Sequence, residues 1–361
     1  MIKTLGKWTT EPLSLDNIIF PSNLTMKYVN NDKMTINSDT IYPQKIYDMR
    51  KAAEAHRQVR RDVQSFIKPN TRYYDICERI DNKIRQLLGN DEKGGIGFPT
   101  GLSSNNIAAH DSANPNDNRI VKENDILKVD IGTHVNGNII DSAFTVCFNN
   151  DLKPLVESTR EATWEAIKMA GPDAYVKDIS NKIQEVIESY EVTINGKDYQ
   201  IHSVPNLGGH NISPYKIHSG KLLLGSNSQF TDPSMRMEVN ECWAIETFAT
   251  TGKGPLFSTK NLEVNHYAIN IDATKSRFKL KNTGKLLSYI KKTRSTLPFC
   301  TRWLEKEFPR YKPYLNDLVN SNIVTSYPPL IDLPFHKTSQ WEHTIYLHDY
   351  GKEIMSFGDD Y

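Results

Sequence analysis

The run ILKVDIGTHVNGNIIDSAFTVCF, residues 126–148, can fold in few ways. Asn and Gly adopt the positive φ values that a two-residue type I′ turn demands, so Asn136-Gly137 closes a β-hairpin with Val135 facing Asn138. Counting back along both arms places Asp130 opposite Ala143. Side chains on one face repeat every two residues, so Asp141 shares the face of Asp130 one diagonal step away, with Cβ atoms roughly 7 Å apart. Two carboxylates at that spacing can reach a shared cation. The alternative is a pair of solvated acids on the open face of a hairpin.

Helices flank this hairpin. From Gln44, apolar residues recur every three or four positions through Ile46, Met49, Ala53, Val59, Val63 and Phe66, until Pro69 stops the pattern. A second helix follows on Ile76, Ile80, Ile84, Leu87 and Leu88, closed by Gly89. Residues 94–118, rich in Gly, Pro, Ser and Asn and holding His110, read as a loop. After the hairpin, a helix from about Pro154 to Met169 and another on Ile179, Ile183, Val186 and Ile187 lead to a second turn at Asn195-Gly196. Residues 201–271 read as strand and loop. Helical periodicity then returns through a basic stretch, residues 275–294, and continues past Trp303 and Leu304; the tail from Tyr327 is strand-like. Helices and hairpins, given twice in that order, predict an α+β class rather than alternating βαβ units. Residues 1–40 are polar and aperiodic and predict an extended arm.

Charge and size exclude several roles. The chain carries 44 Lys and Arg against 43 Asp and Glu over 361 residues, which excludes a globally basic nucleic-acid coat. No apolar run approaches the ~18 residues of a membrane span. Cys77, Cys147, Cys242 and Cys300 lie far apart with no CxxC spacing, so neither a disulfide framework nor a structural zinc site is expected. With no apolar signal segment at the start, the expected compartment is the cytoplasm, with no DNA or membrane partner.

Further candidate ligands sit where burial would make them costly. Glu246 lies between Ile245 and Thr247, and Glu342 between Trp341 and His343, both inside apolar strand-like runs. NLGGHNISPYKIH supplies His210 and His218 among glycines that allow close approach; taken singly, either could be a packing residue. If Asp130, Asp141, Glu246 and Glu342 share a pocket, their four charges force protonation unless cations compensate. Two divalent ions would balance them. Carboxylates with an imidazole and no thiolate suit Mn, Fe, Co or Zn, and such a pair of ions holds a water as hydroxide near neutral pH, a nucleophile for an amide carbonyl.

These segments resemble the type 2 methionine aminopeptidases, dinuclear metallopeptidases of the pita-bread (creatinase/aminopeptidase) fold. The match runs from about Ile41 to Tyr361. It rests on GFPTGLSSNNIAAH (97–110), KVDIGTHVNGNIIDSAFTV (128–146), NLGGHNISPYKIHSGK (206–221), AIETFATTGKG (244–254), YPPL (327–330), QWEHT (340–344) and GDDY (358–361). The resemblance implies a catalytic domain over residues 41–361 with a helical insertion at 272–326, and release of N-terminal methionine before small second residues of nascent chains. It implies that Asp130, Asp141, His210, Glu246 and Glu342 hold two divalent ions of unassigned identity, with Glu246 also catalytic. His110 and His218 match the family's substrate-side histidines, which hydrogen-bond the scissile amide and stabilise the tetrahedral intermediate; His110 would be the target of fumagillin-type epoxides. The methionine slot maps onto Phe98, Ile217, His266, Tyr327 and Leu330. Asn211, Asp111 and Trp341 depart from common family residues without removing a ligand.

Two rivals share the fold. Prolidases and aminopeptidases P require proline after the scissile bond, and the insertion argues against them; inactive pita-bread proteins that bind RNA or ribosomes lose ligand positions, all five of which are filled here. The basic stretch from Lys275 to Arg294 is the handle for a transient ribosome contact, against the simpler reading of a solvated helix face. The resemblance suggests a monomer.

Overall fold

The computed structural model describes Thr25–Met26 and residues 43–226, 231–259, 261–273, 277–358 and 360. The expected arm, residues 1–40, therefore lies outside the described residues except for Thr25–Met26, a short strand paired with Lys352–Ile354.

Two helix pairs cover two antiparallel units. α1 (Gln44–Phe66) and α2 (Tyr73–Leu88) pack their apolar stripes on the hairpin Ile126–Val135/Asn138–Cys147. Val59, Val63, Ile76, Ile80 and Ile84 meet Leu127, Val129, Ile131 and Phe144 in one buried cluster. The hairpin has the register its turn dictates: Val135 faces Asn138, Asp130 faces Ala143, and Asn136 and Gly137 take φ values of 49° and 78°. α2 ends at Gly89, whose φ of 89° suits a residue without Cβ. In the second unit, α3 (Lys153–Met169) and α4 (Val176–Glu188) cover a larger sheet that includes Gly208–Ile212, Cys242–Thr250 and Thr338–Leu347. Trp243, Ile245, Ala249, Ile345 and Leu347 form the core beneath that pair.

Hydroxyl side chains stitch the two units together. Thr344 Oγ1 accepts from the Asp141 N–H at 2.8 Å and donates to the Asp141 carbonyl at 2.6 Å. Ser142 Oγ donates to the Glu342 carbonyl and Thr145 Oγ1 to the Gln340 carbonyl, each at 2.7 Å. The hairpin edge is thus satisfied by side chains in place of a main-chain ladder, and Asp141 is carried beside Glu342.

Two expectations need correction. Residues 94–118 are not a plain loop: Gly94–Ile96 and Gly101–Ser104 pair with Ile126–Val135, and Ile107–Ala109 pairs with Leu330–Ile331. Gly and Ser have weak strand propensity, and here the tertiary partner overrides it. The helical pattern also does not run unbroken past Trp303. α5 (Thr283–Arg294) ends at Ser295, whose φ is 53°, and Pro298 and the short strand Phe299–Cys300 precede α6 (Thr301–Glu307) and α7 (Lys312–Asn320). These elements lie within residues 272–326 and share a core of Leu286, Ile290, Phe299, Leu304, Leu315 and Leu318. Among the described residues, no helix is long and apolar enough to cross a membrane.

Candidate metal centre

Three strands and the hairpin aim their candidate ligands at one point. In the central ladder Glu246 faces Glu342, and His210 faces Ala244, two residues before Glu246 on the same strand. Gly209 makes that approach possible, since a Cβ there would meet the Ala244 carbonyl at 2.2 Å. The hairpin contributes Asp130 and Asp141. Side chains of Asp141, His210 and Glu342 form one group and those of Asp130, Glu246 and Glu342 another, with one ligand atom from each residue lying within 4.8 Å of the others. Glu342 is common to both. All five residues named from the sequence as candidate ligands therefore meet.

The electrostatics of the cluster are those of a site built around positive charge. Burial raises the Asp130 pKa to about 6. It pushes Asp141, Glu246 and Glu342 well above the carboxylate range, and the charges of neighbouring acids add to the rise. Asp130 Oδ1, Asp141 Oδ1 and both oxygens of Glu342 are buried without a hydrogen-bond partner among the described residues. Orphaned carboxylate oxygens are costly, and divalent cations are what this oxygen-rich set with one imidazole fits.

Above the cluster lies a cavity of about 290 Å³ whose walls include Phe98, His110, Ile217, His218, His266 and Tyr327. Leu330 is not part of that lining; it pairs with Ala109 and Ser258 and packs against the small cluster around Phe248. The imidazoles are neutral: burial lowers His110, takes His218 to about 4 and His266 to about 3, with nearby His110 adding to the last two. His110 Nδ1 lies 3.3 Å from the Pro328 carbonyl, which can only accept, so Nδ1 carries the proton and Nε2 keeps its lone pair. His218 meets His210 edge-on with ring centroids 4.3 Å apart.

One participant escaped the sequence reading. Gln340 Nε2 donates to Glu246 Oε1 at 2.6 Å and to Asp130 Oδ2 at 3.2 Å, tying two candidate ligands together. The signal was its spacing: two residues before Glu342 on one strand, it shares that residue's face. Phe248, two residues after Glu246, reaches the cavity wall by the same periodicity.

A profile of metallopeptidase family M24 matches residues 47–272. The methionine aminopeptidase 2 of Clavispora lusitaniae is 46% identical over 318 residues, covering 87% of this chain and 72% of that protein. Methionine aminopeptidase 2A of Arabidopsis thaliana is 44% identical over 315 residues, covering 87% and 70%. Among solved structures, a thermophilic Arx1 superposes with a TM-score of 0.74 at 15% identity, covering 89% of this chain and 94% of that one. A methionine aminopeptidase from Thermotoga maritima does so with 0.58 at 19%, covering 88% and 98%. At such identities the two structures speak for the fold alone, the α+β pita-bread arrangement.

Proposed function

We propose a function from one premise: this chain belongs to the methionine aminopeptidase 2 group of metallopeptidase family M24. It is a metallo-aminopeptidase that removes N-terminal methionine, and it uses divalent metal. The observation that carries the finer reading is the pair of ligand groups sharing Glu342 at the floor of a cavity walled by neutral imidazoles. On that reading Asp130, Asp141, His210, Glu246 and Glu342 hold two divalent ions, of Mn, Fe, Co or Zn. Bound there, the ions would supply Lewis acidity and an ionised water at neutral pH.

The remaining roles fall to protein atoms. Glu246, held at Oε1 by Gln340, is the carboxylate placed to take a proton from the attacking water. His218, neutral near pH 7, donates to the developing oxyanion, and His110 Nε2 accepts the scissile amide N–H. Phe98, Ile217, His266 and Tyr327 wall the methionine side chain, and small second residues are preferred. The substrates are nascent chains in the cytoplasm, met by a monomer, with a transient ribosome contact through the exposed lysines of α5. The test is metal content measured alongside methionine release from a Met-Gly peptide. Release that tracks bound metal supports the reading; a well-folded, metal-loaded protein that releases no methionine overturns it.

A further inference from the structure

A second cavity, of about 240 Å³, opens between α2 and the α5–α6 region, away from the acidic cluster. Its walls include Tyr289, Phe299, Trp303 and Leu304, with Arg85, Arg294 and Lys306 as cations and Glu307 as an acid. Arg294 is the unusual member. It is 7% exposed, yet it makes no ion pair among the described residues. Its Nε donates to the Pro298 carbonyl at 3.2 Å, and its Nη2 donates to the carbonyls of Ile96 at 2.7 Å and Pro298 at 2.9 Å. These bonds brace the backbone next to Phe98 and use one side of the guanidinium. Nη1 has no partner among them.

The neighbouring charges are already engaged. Asp81 serves Arg302 at 2.8 Å and the Trp303 indole N–H at 2.6 Å, and has Arg85 at 3.6 Å. Lys306 is paired with Glu78 at 2.6 Å. Arg294 is left with the more distant charge of Asp81, which Arg302 and Arg85 already engage, and with no acid in contact. Burial lowers the Arg294 pKa only to about 10, so the charge persists at neutral pH. A buried cation with no contact ion pair is expensive.

We propose that this cavity is a binding site for a small aromatic oxyanion, a carboxylate or phosphate on one planar ring, with the anion on Arg294 Nη1 and the ring against Tyr289, Phe299 and Leu304. Size and chemistry agree. The volume equals the share of roughly eight waters, enough for a single ring with its charged group but below most drug-sized pockets. Trp303, with the guanidinium carbon of Arg294 4.9 Å from its ring centroid, closes the site beside the charge.

Titration calorimetry and ligand-observed NMR on the full, metal-loaded chain test this with phenyl phosphate, benzoate and inorganic phosphate. Phenyl phosphate or benzoate should bind with a Kd at or below about 1 mM, and inorganic phosphate at least about tenfold more weakly, because it leaves the apolar wall unused. Arg294→Met should weaken binding at least tenfold. Thr293→Trp, which fills the cavity and keeps the braces, should abolish it, and decides the matter alone if Arg294→Met fails to fold. Absence of binding by both aromatic probes overturns the proposal. So does binding unchanged in the variants, which would place the anions at the metal centre or elsewhere.

Discussion

Glu246 and Glu342 stand directly opposite each other in an antiparallel ladder, a register position where like charges destabilise a sheet. Strand Cys242–Thr250 and strand Thr338–Leu347 are buried along their whole length, so water cannot relieve the repulsion. Without metal these acids hold protons, since burial and mutual charge raise both pKa values well above normal. Binding of a dication must then expel protons at neutral pH. Calorimetric titration of metal-stripped protein with Mn²⁺ or Co²⁺ should give heats that vary with the ionisation enthalpy of the buffer. Buffer-independent heat would contradict a cluster protonated before binding.

Asp141→Asn separates metal binding from folding. Asp141 Oδ2 lies 3.5 Å from His210 Nε2, and its carboxyl is shared with the Glu342 group. Losing that charge should lower bound metal and turnover, by the 10- to 100-fold or so that outer partners of a metal site command and more for a ligand itself. In the metal-free state the same change removes the cost of protonating a buried acid, so the variant should resist urea at least as well as the metal-free wild type. Equal activity, or a variant less stable without metal, would count against the assignment.

Much of this architecture was legible because its signals were local. Asn136-Gly137 fixed a register, and the register alone put Asp130 and Asp141 on one face. The five candidate ligands could be named singly, but their meeting depends on Thr344, Ser142 and Thr145 joining two sheets, a long-range match that no spacing announces. Short strands at 94–109 were illegible for the same reason: Gly101–Ser104 has strand geometry only because Asp130 to Leu127 pair with it. Arg294 read as part of a solvated basic face, and the turn at Ser295 carries it inward instead.

Stability should fall with acid through His56. This residue is fully buried; Nε2 lies 3.0 Å from the Ile131 carbonyl and Nδ1 accepts from Arg60 at 3.4 Å. Burial first, then the Arg60 charge, depresses its pKa to about 3. Unfolded, it titrates near 6.5. Between those values the unfolded chain binds the extra proton, so stability is full above about 6.5 and is lost as pH falls toward 3. Urea midpoints measured across that window should decline less in His56→Gln, which can donate to Ile131 without titrating. Parallel slopes for the two proteins would show that other groups govern acid unfolding.

Selectivity follows from the wall of the larger cavity. Phe98, Ile217, His266 and Tyr327 offer apolar surface and, in His266, an imidazole held neutral with its Nδ1 2.9 Å from Asn265 Oδ1. A methionine side chain buried there gains on the order of 2 kcal/mol, whereas a lysine loses hydration with no acid among those four wall residues to meet it. A peptide panel with Met, Leu, Lys or Pro first and Gly, Thr or Pro second should show release of Met before Gly and Thr, by tens-fold or so over Leu and with none for Lys. Release of Lys at a similar rate would refute the slot, and a strict demand for second-position Pro would assign the chain an aminopeptidase P-like specificity.

His110 should be the residue that fumagillin-type epoxides alkylate. Its φ of 65° is a left-handed conformation that costs a non-glycine residue energy, and it turns the ring out of the strand Ile107–Ala109 into the cavity. The Pro328 carbonyl then accepts a hydrogen bond from Nδ1–H, which leaves Nε2 with its lone pair; the ring of His266 is 6.0 Å away and that of Tyr327 5.8 Å. Burial keeps the ring uncharged, and bound dications would oppose its protonation further. An epoxide held by the adjacent apolar wall meets this nitrogen at high effective concentration, which makes a modest nucleophile sufficient. Intact-mass spectrometry should find one adduct on the wild type and none on His110→Asn; an adduct of the same mass on that variant would assign the nucleophile to His218 or His266 instead.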